Sequence, residues 1–420
     1  MKQRIVILGA GFAGIQLAKK LDEKLFEILI IDKINHHQFQ PLFYQVATSQ
    51  IEPSSISFPI RNIFKGKPNI QIRMAEVWEV KSNENKIVSS IGDFEYDYLV
   101  IATGCKTNFF GNKHIEENAF TLKSTYDAIT IRNHILQTFE KIISATEEEK
   151  EALMNLVIVG AGPTGMELSG AFAEIKAYIL PKDYPKIDFS SFNITLVEGS
   201  SHTLNSMSEK SKEVSESYIK SLGINLKLNT IVKDYDGELL TFASGETMKT
   251  KTLIWAAGVT PNLIAGLPSS SKGAANRIIV NRQNKVHDTK NVYAMGDCAI
   301  METPLYTKGH PQVANVAINQ ANLLARNFKS ILQRKPLQDY EYFDLGSMAT
   351  IGRNKAVVDF RKLHLRGYLA WLIWMFLHLM LILSVKNKLI IFIQWAWAYV
   401  SKDTSLRLIL MSNKKFDTSK

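Results

Sequence analysis

"VIVGAGPTGMELSG", residues 157–170, decides the fold. A run of β-branched residues ends in Gly-x-Gly-x-x-Gly, and small and apolar helix formers follow. That order reads as a buried strand, a tight turn and a helix start. It occurs twice. "IVILGAGFAGIQLA" at residues 5–18 matches it 151 positions earlier, with Gln16 where the second copy has Glu167. The copies also finish alike. "YLVIATG" at 98–104 and "TLIWAAG" at 252–258 are each a buried strand running into Ala-x-Gly. The repeat therefore covers whole units of chain, and two dinucleotide folds in tandem is the economical reading.

In the first copy Gly9, Gly11 and Gly14 allow a tight turn, close approach of backbone to a pyrophosphate, and close helix–strand packing. Asp32 lies 18 residues after Gly14 and ends the next strand, where a carboxylate can accept hydrogen bonds from a ribose. In the second copy Gly160, Gly162 and Gly165 stand in the same context, with Glu198 as the ribose acid. The 33 residues from Gly165 to Glu198 exceed the usual spacing, and "YILPKDYPKIDFS" at 178–190 reads as an inserted loop that accounts for them. A carboxylate at 198 repels a 2′-phosphate, and "EGSSH" offers no arginine to receive one. The second site is thus expected to take NADH rather than NADPH.

Two acids remain open on chemistry alone. Glu167, read as lying in the first turn of the second helix, either stabilises the positive end of the helix dipole or faces a redox ring. Asp297 in "MGDCA" either binds a ribityl or phosphate-linked hydroxyl or caps a helix. Between these landmarks the pattern predicts a helix over about 124–143 and a solvated connector at "TEEEKE". "NIQIRMAEVWEV" and "NKIVSS" read as strands of one meander, and a second meander is expected near 224–250. "NVYAMGDCA" and a helix over about 311–332 return to complete the first domain. The expected organisation is residues 1–120 and 264–340 for the first dinucleotide domain, 121–263 for the second, and 341–420 for a C-terminal region.

Composition agrees with an enzyme-sized globular chain: 420 residues, 46% hydrophobic and 21% charged. The two cysteines, Cys105 and Cys298, lie in no CxxC, so a disulfide scaffold or cysteine-rich metal centre is excluded and a structural role is preferred. No metal site is expected. "RIVIL" begins at residue 4, which suggests no signal peptide and a cytoplasmic setting. The net charge of +10 is concentrated in the tail, where residues 361–420 hold ten Lys and Arg against Asp403 and Asp417. Trp371, Trp374, Trp395 and Trp397 fall there too. Basic side chains among tryptophans and apolar runs suit an anionic membrane surface better than nucleic acid. "LAWLIWMFLHLMLILSV" and "LIIFIQWAWAYV" would reach roughly 26 Å and about 18 Å as helices, short of a ~30 Å hydrocarbon core. Two amphipathic helices lying in one leaflet are therefore expected, with Lys386 and Lys388 kept on the near side. His378 is expected to be a packed or interfacial histidine.

Together these residues resemble the type II NADH:quinone oxidoreductases, single-chain, flavin-dependent and non-pumping. The likeness spans nearly the whole chain. It rests on "GAGFAG", "NHHQFQPLFYQVAT", "ATG", "GAGPTGMELSG", "WAAGVTPN", "YAMGDCA", "PQVANVAINQA", "GSMATIG" and the tryptophan-rich basic tail. It implies a glutathione-reductase-like α/β fold of two Rossmann-like domains with a helical membrane anchor. It implies that FAD occupies the first grip, against Gly9, Gly11, Phe12, Ala13, Gly14, Asp32, Lys33, Val77, Thr103, Gly104, Asp297, Val313 and Ala314. NADH would occupy the second, against Gly160, Gly162, Pro163, Thr164, Gly165, Glu167, Glu198 and Gly258. Glu167 matches the family glutamate beside flavin and nicotinamide and becomes the catalytic candidate. Gln312, Asn315 and Asn319 match a quinone-lining segment in which many relatives have glutamine at the last two positions. The implied partners are a membrane quinone and the lipid surface on the cytoplasmic face of the inner membrane, and a homodimer is left open. Sulfide:quinone oxidoreductase is the enzymatic alternative, though it needs several cysteines around the flavin. A non-catalytic flavoprotein NADH sensor is the alternative from another class.

Overall fold

The computed structural model describes residues 2–404 and 406–410. The first glycine strand, Gln3–Leu8, is the middle of a five-stranded sheet ordered Val292–Ala294, Tyr98–Ile101, Gln3–Leu8, Phe26–Asp32, Ile70–Met74. All its pairings are parallel. The second, Asn155–Val159, sits likewise in a parallel sheet ordered Asn225–Lys227, Asn193–Val197, Asn155–Val159, Thr252–Trp255. In both, the strand that ends in the acid lies on one side of the glycine strand and the Ala-x-Gly strand on the other. Near-continuous Ile, Val and Leu in these strands reflect burial on both faces, as parallel sheets demand. Register repeats as well: Leu8 pairs Ile31 and Ile101, and Val159, its equivalent, pairs Val197 and Trp255.

The chain forms two compact units. One comprises the chain up to Gln38, Ser57–Lys106 and Val259–Asp344. The chain returns to this unit after the second glycine repeat, as read from "NVYAMGDCA": Val292–Ala294 adds the outer strand beside Tyr98–Ile101. Helix Ala314–Leu332 then covers helix Phe12–Lys20, with Ala317, Ala321 and Leu324 in the same buried cluster as Ala13 and Leu17. "NIQIRMAEVWEV" divides instead of forming one meander. Ile70–Met74 joins the parallel sheet because Ile70 and Ile72 meet Ile28 and Ile30. Only Val77–Lys81 pairs with Lys86–Ser89, which pairs in turn with Gly92–Glu95.

The other unit comprises Phe39–Ile56, Thr107–Gly258 and the chain from Leu345 onward. The helix expected near 124–143 is Thr125–Ile142, started by a Ser124/Asp127 capping box. "TEEEKE" is not a bare connector. Thr146 and Glu149 form a second capping box, and three glutamates at its positive end support helix Glu147–Leu153. The 178–190 segment also begins helically, through a π-turn at Ile175–Ile179 and a short helix Leu180–Asp183, before it becomes loop.

The C-terminal region holds a sheet that the pattern reading missed. Ser347–Gly352, Lys355–Phe360 and Leu363–Arg366 form an antiparallel meander ahead of helices Gly367–Leu381 and Val385–Ser401. Its first strand lies on helix Pro163–Glu174 at Gly170, where a Cβ would collide with the Ile351 carbonyl oxygen. The tail tryptophans do not act alike. Trp374 and Trp395 are 1% and 7% exposed and belong to the core, whereas Trp397 is 64% exposed. Indole fills an apolar pocket as readily as it meets a headgroup, so composition could not separate the two. His378 is packed, its ring stacked 4.0 Å from Trp374 and its Nδ1 donating to the Trp374 carbonyl. Among the described residues no helix is long and apolar enough to cross a membrane. The basic residues counted at Lys414, Lys415 and Lys420 lie outside the described residues.

Gly170→Ala tests the contact that carries this sheet. The methyl group has no room against backbone, so a loss of ~1–3 kcal/mol is expected in chemical denaturation, as for other overpacked sites. Wild-type stability would show that the helix and strand are not in contact.

Candidate functional site

Each glycine turn is tied to its neighbours in the same way. Gly9 N donates to Ile31 O and Ala102 N to Leu8 O, both at 2.8 Å; Gly160 N donates to Val197 O and Ala256 N to Val159 O, again at 2.8 Å. Gly9 and Gly160 have φ of +101° and +103°, and a Cβ on either would press into the backbone of the Ala-x-Gly strand. A Cβ on Gly14 or Gly165 would overlap the carbonyl of Gly9 or Gly160. Gly11 and Gly162 differ: a Cβ there meets nothing within 4 Å. They keep open the approach to a helix N-terminus. Neither following helix has a side-chain cap or an acid in its first turn, so the unsatisfied N–H groups are left for an anion. Pro163 opens the second helix, where its missing N–H is harmless.

The two acids do more than point outward. Asp32 accepts from Ala10 N at 2.6 Å and Ile34 N at 2.9 Å. Glu198 accepts from Ala161 N at 2.7 Å, and from Ser200 N and Oγ at 2.9 and 2.7 Å. Ala10 and Ala161 are equivalent positions, so each acid clamps the middle of its own glycine turn. Burial raises the Asp32 carboxyl above the usual range, opposed by the Ile34 and Ala10 amides. Buried His37 donates from Nδ1 to Ala10 O at 2.9 Å and meets Phe12 edge-on. Lys33 pairs with Glu76 at the surface, 2.6 Å away, one residue before Val77 starts its strand.

The Ala-x-Gly turn of the first unit faces Asp297. Thr103 Oγ1 donates to Asn262 O at 2.7 Å, Gly104 has φ of +65°, and Cys105 Sγ donates to Asp297 Oδ2 at 3.2 Å. Gln312 Nε2 donates to Asp297 O at 2.9 Å, just before Val313 and Ala314 begin the long helix. Asp297 lies in a 3-10 turn with Cys298, whose thiol is buried. Asn319 Nδ2 donates to Asn315 Oδ1 at 3.1 Å. In the second unit Gly258 is at φ +75°, with no room for a Cβ against Phe110.

Glu167 is not in the first turn. It is the fifth residue of helix Pro163–Glu174 and 8% exposed, so it serves no helix dipole at the surface. It lines a cavity of about 80 Å³ with Tyr44, Gln45, Thr350, Trp374 and Trp395, all of the same unit. Its side chain is thus withdrawn from bulk water. Desolvation therefore pushes the Glu167 carboxyl well above its ordinary range, opposed by the Thr350 backbone and the Trp374 indole. Trp374 Nε1 has no well-aligned hydrogen bond, so the opposition is weak and burial wins. Gln45 braces the wall, accepting from Trp395 Nε1 at 2.7 Å and donating to Tyr44 Oη at 2.9 Å. Tyr44 and Gln45 were not singled out from the sequence, and Trp374 and Trp395 were read there as suited to a membrane surface. The signal available was the i, i+3, i+7 spacing of Trp371, Trp374 and His378, which is that of one helix face turned inward.

The pyridine nucleotide-disulphide oxidoreductase family model matches residues 3–321, and the NDH2 C-terminal domain model matches 345–411. Type II NADH:quinone oxidoreductase Ndh of Mycobacterium tuberculosis is 32% identical over 419 residues, covering 95% of this chain and 89% of that protein. A probable NADH dehydrogenase of Dictyostelium discoideum is 27% identical, covering 94% and 88%. Among solved structures, Plasmodium falciparum NDH2 in complex with NADH superposes with a TM-score of 0.90 at 22% identity, over 98% of this chain and 100% of that one. The sulfide:quinone oxidoreductase of Aquifex aeolicus gives 0.72 at 19% identity, over 94% and 95%.

The Glu167 environment makes a pH prediction. The folded chain keeps this proton above the ~4.3 at which an unfolded glutamate releases it. The folded state then binds more protons, so stability falls with rising pH across that window by ~1.4 kcal/mol per unit. Glu167→Gln lacks the effect and should gain on wild type in denaturant titrations as pH rises above the range in which a free glutamate ionises. A pH-independent difference would mean that Glu167 is ionised in the fold.

Proposed function

The chain belongs to the pyridine nucleotide-disulphide oxidoreductase family and, within it, to the type II NADH:quinone oxidoreductases; on that premise we propose how its residues divide the work. It is an FAD-dependent enzyme that oxidises NADH and delivers two electrons to a quinone. The observation that carries this reading is the duplicated acid-clamped glycine turn, one copy for each dinucleotide. Gly11 and Gly162 leave the space that a pyrophosphate needs, and the bare helix N-termini supply the donors. FAD, when bound, supplies a ring that takes hydride from NADH and returns electrons to a second acceptor.

The chain supplies binding, alignment and proton control. Gly9, Gly11, Phe12, Ala13 and Gly14 form the FAD phosphate turn, with Asp32 and Lys33 at the ribose side and the Val77 backbone near the adenine. Thr103, Gly104, Asp297, Val313 and Ala314 hold the flavin end, where Gln312 and Cys105 fix Asp297. Gly160, Gly162, Pro163, Thr164, Gly165 and Gly258 hold NADH. Glu198 excludes a 2′-phosphate while clamping Ala161. Glu167, held protonated by burial, is the group able to give a proton as charge develops at a reacting ring. Gln312, Asn315 and Asn319 offer amide contacts to the quinone. A sulfide:quinone chemistry lacks its cysteines: Cys298 is buried against the Ile101 and Met295 carbonyls, and Cys105 is engaged with Asp297.

Lipid docking falls to the outer faces of the two tail helices. Leu369, Leu372, Phe376 and Met380 recur on one, and Leu389, Phe392, Ile393 and Trp397 on the other, all exposed. Exposed Lys362, Arg366 and Lys386 flank them. Such faces fit an anionic interface, with the helices lying in one leaflet. The docked face is proposed to be the cytoplasmic one, on the side of the bilayer from which NADH is supplied. The inner faces wall the Glu167 cavity through Trp374 and Trp395. Deleting the tail would therefore unroof that cavity as well as detach the protein, and surface substitutions are the cleaner probe.

Three outcomes follow from this division. Under anaerobic conditions NADH should bleach the flavin absorbance of the holoenzyme and a short-chain quinone should restore it; lasting reduction after quinone addition would remove the enzyme reading and leave a sensor. Phe376→Asp with Phe392→Asp should release the protein from anionic vesicles, since two buried phenyl groups supply about 3–6 kcal/mol, while NADH oxidation by soluble dyes persists. Unchanged sedimentation would reject these faces. Glu198→Gln keeps an acceptor for Ala161 but loses the charge, so the NADH/NADPH preference in kcat/KM should fall roughly tenfold; an unaltered ratio would reassign Glu198 to the turn alone.

A further inference from the structure

Arg132 stands where a cation is least expected. It is on the buried face of helix Thr125–Ile142, between Ile131 and Ile135, and is 2% exposed. Its Nε and Nη2 are out of contact with solvent and have no hydrogen-bond partner among the described residues. Glu52 is the one acid whose field favours its charge, and no hydrogen bond joins the two. A buried, unpaired guanidinium is costly, so a fold that keeps one points to a partner. Nε and Nη2 share one edge of the planar group, the fork that grips a carboxylate or phosphate through two parallel hydrogen bonds, and to reach a ligand the side chain must turn that edge toward the cavity it lines.

Arg132 lines a cavity of about 410 Å³ that shares Ile175 and Ile179 with the space around Glu167 but otherwise has its own lining. The volume is that of a small-molecule pocket, ~300–1,000 Å³. Ala47 and Ser49 lie at its wall with Arg132, and Leu136, Phe139, Ile179 and Leu180 make much of the rest apolar. The other charges in the lining are spoken for. Asp183 is bound by Arg407 at 2.6 Å, and Glu140 accepts from Tyr184 Oη at 2.7 Å. Part of the cavity wall comes from described residues of the segment that follows helix Val385–Ser401. Arg407 and Ile409 contribute to its lining, and Leu410 exchanges two hydrogen bonds with Asn133, at 2.8 and 3.1 Å. That segment leads directly from the helix whose outer face carries Phe392 and Trp397.

We propose that this cavity binds an anionic amphiphile, its carboxylate or phosphate head gripped by Arg132 and its hydrocarbon chain lying along Leu136, Phe139 and Ile179. A long-chain fatty acid and an anionic phospholipid share that chemistry. The segment after helix Val385–Ser401 then holds the amphiphile between the tail and the second dinucleotide unit's own helix, and binding stabilises the tail.

The test uses delipidated full-length holoenzyme, with oleate, dioleoyl-phosphatidylglycerol and oleyl alcohol as probes, followed by native mass spectrometry and thermal unfolding. Wild type should take up one oleate or one phosphatidylglycerol per chain with a raised Tm, and bind oleyl alcohol at least roughly tenfold more weakly, the loss of a charge-assisted hydrogen bond. Oleate alone would identify a free fatty acid, phosphatidylglycerol alone a membrane lipid, and both the shared head chemistry; each supports the site. The comparison of oleate with its alcohol needs no variant. Arg132→Met should unfold no earlier than ligand-free wild type, since it removes an unpaired buried charge, yet lose the ligand-induced Tm shift. No stoichiometric uptake of either anion, equal binding of the alcohol, or an undiminished shift in Arg132→Met would each overturn the proposal.

Discussion

One hydrogen bond, made twice, organises the nucleotide chemistry of this chain: a carboxylate at the end of one strand accepts the amide in the middle of the neighbouring glycine turn. Asp32 takes Ala10 N at 2.6 Å and Glu198 takes Ala161 N at 2.7 Å. A charge-assisted bond of this kind contributes about 1.5–3 kcal/mol. It fixes the turn in the shape that exposes the helix N-terminus, and it places the acid where a ribose hydroxyl would arrive. The glycines make the bond possible. Gly9 and Gly160 bring the turn against the Ala-x-Gly strand at positive φ, and Gly14 and Gly165 let the helix close on it. The two grips differ in what flanks the acid: Ser200 donates to Glu198, and the Ile34 amide donates to Asp32.

Much of this was legible because it is local. The glycine spacing, the strand-ending acids and the Ala-x-Gly turns are each set within a few residues by backbone sterics, so the two strand-turn-helix units could be read from them. What was not legible depends on which way a side chain turns. Trp374 and Trp397 have the same neighbours in sequence, aromatic and aliphatic, yet one is core and the other exposed. Only the packing of helix Gly367–Leu381 on the small sheet decides between them, and that sheet, built of short strands with turns at Asn354 and Arg361, gives little periodic signal. Glu167 shows the same limit. The sequence placed it on the right helix but in the first turn, and the cavity walls around it, Thr350 and Trp374, are more than 180 residues away in sequence. Arg132 could not be singled out at all, because an arginine on an amphipathic helix ordinarily reaches water.

The tail accordingly has two faces with different duties. Its inner face completes the wall around the Glu167 carboxyl, and its outer face carries the exposed apolar residues. One segment therefore both shapes the surroundings of that acid and presents the apolar surface proposed for lipid docking.

The claim that two acid-clamped turns hold two different dinucleotides is tested most directly at Gly11 and Gly162. Both have ordinary φ of −73° and open space where a Cβ would stand, so a side chain is tolerated by the fold and obstructs only a phosphate. The measurement is flavin content together with anaerobic bleaching by NADH. Gly11→Val should fold normally and lose FAD. Gly162→Val should keep FAD and need roughly 10- to 100-fold more NADH for bleaching, the loss of one or two charge-assisted bonds. If both variants retain FAD and respond to NADH as wild type does, the turns are not the nucleotide grips and the account is contradicted.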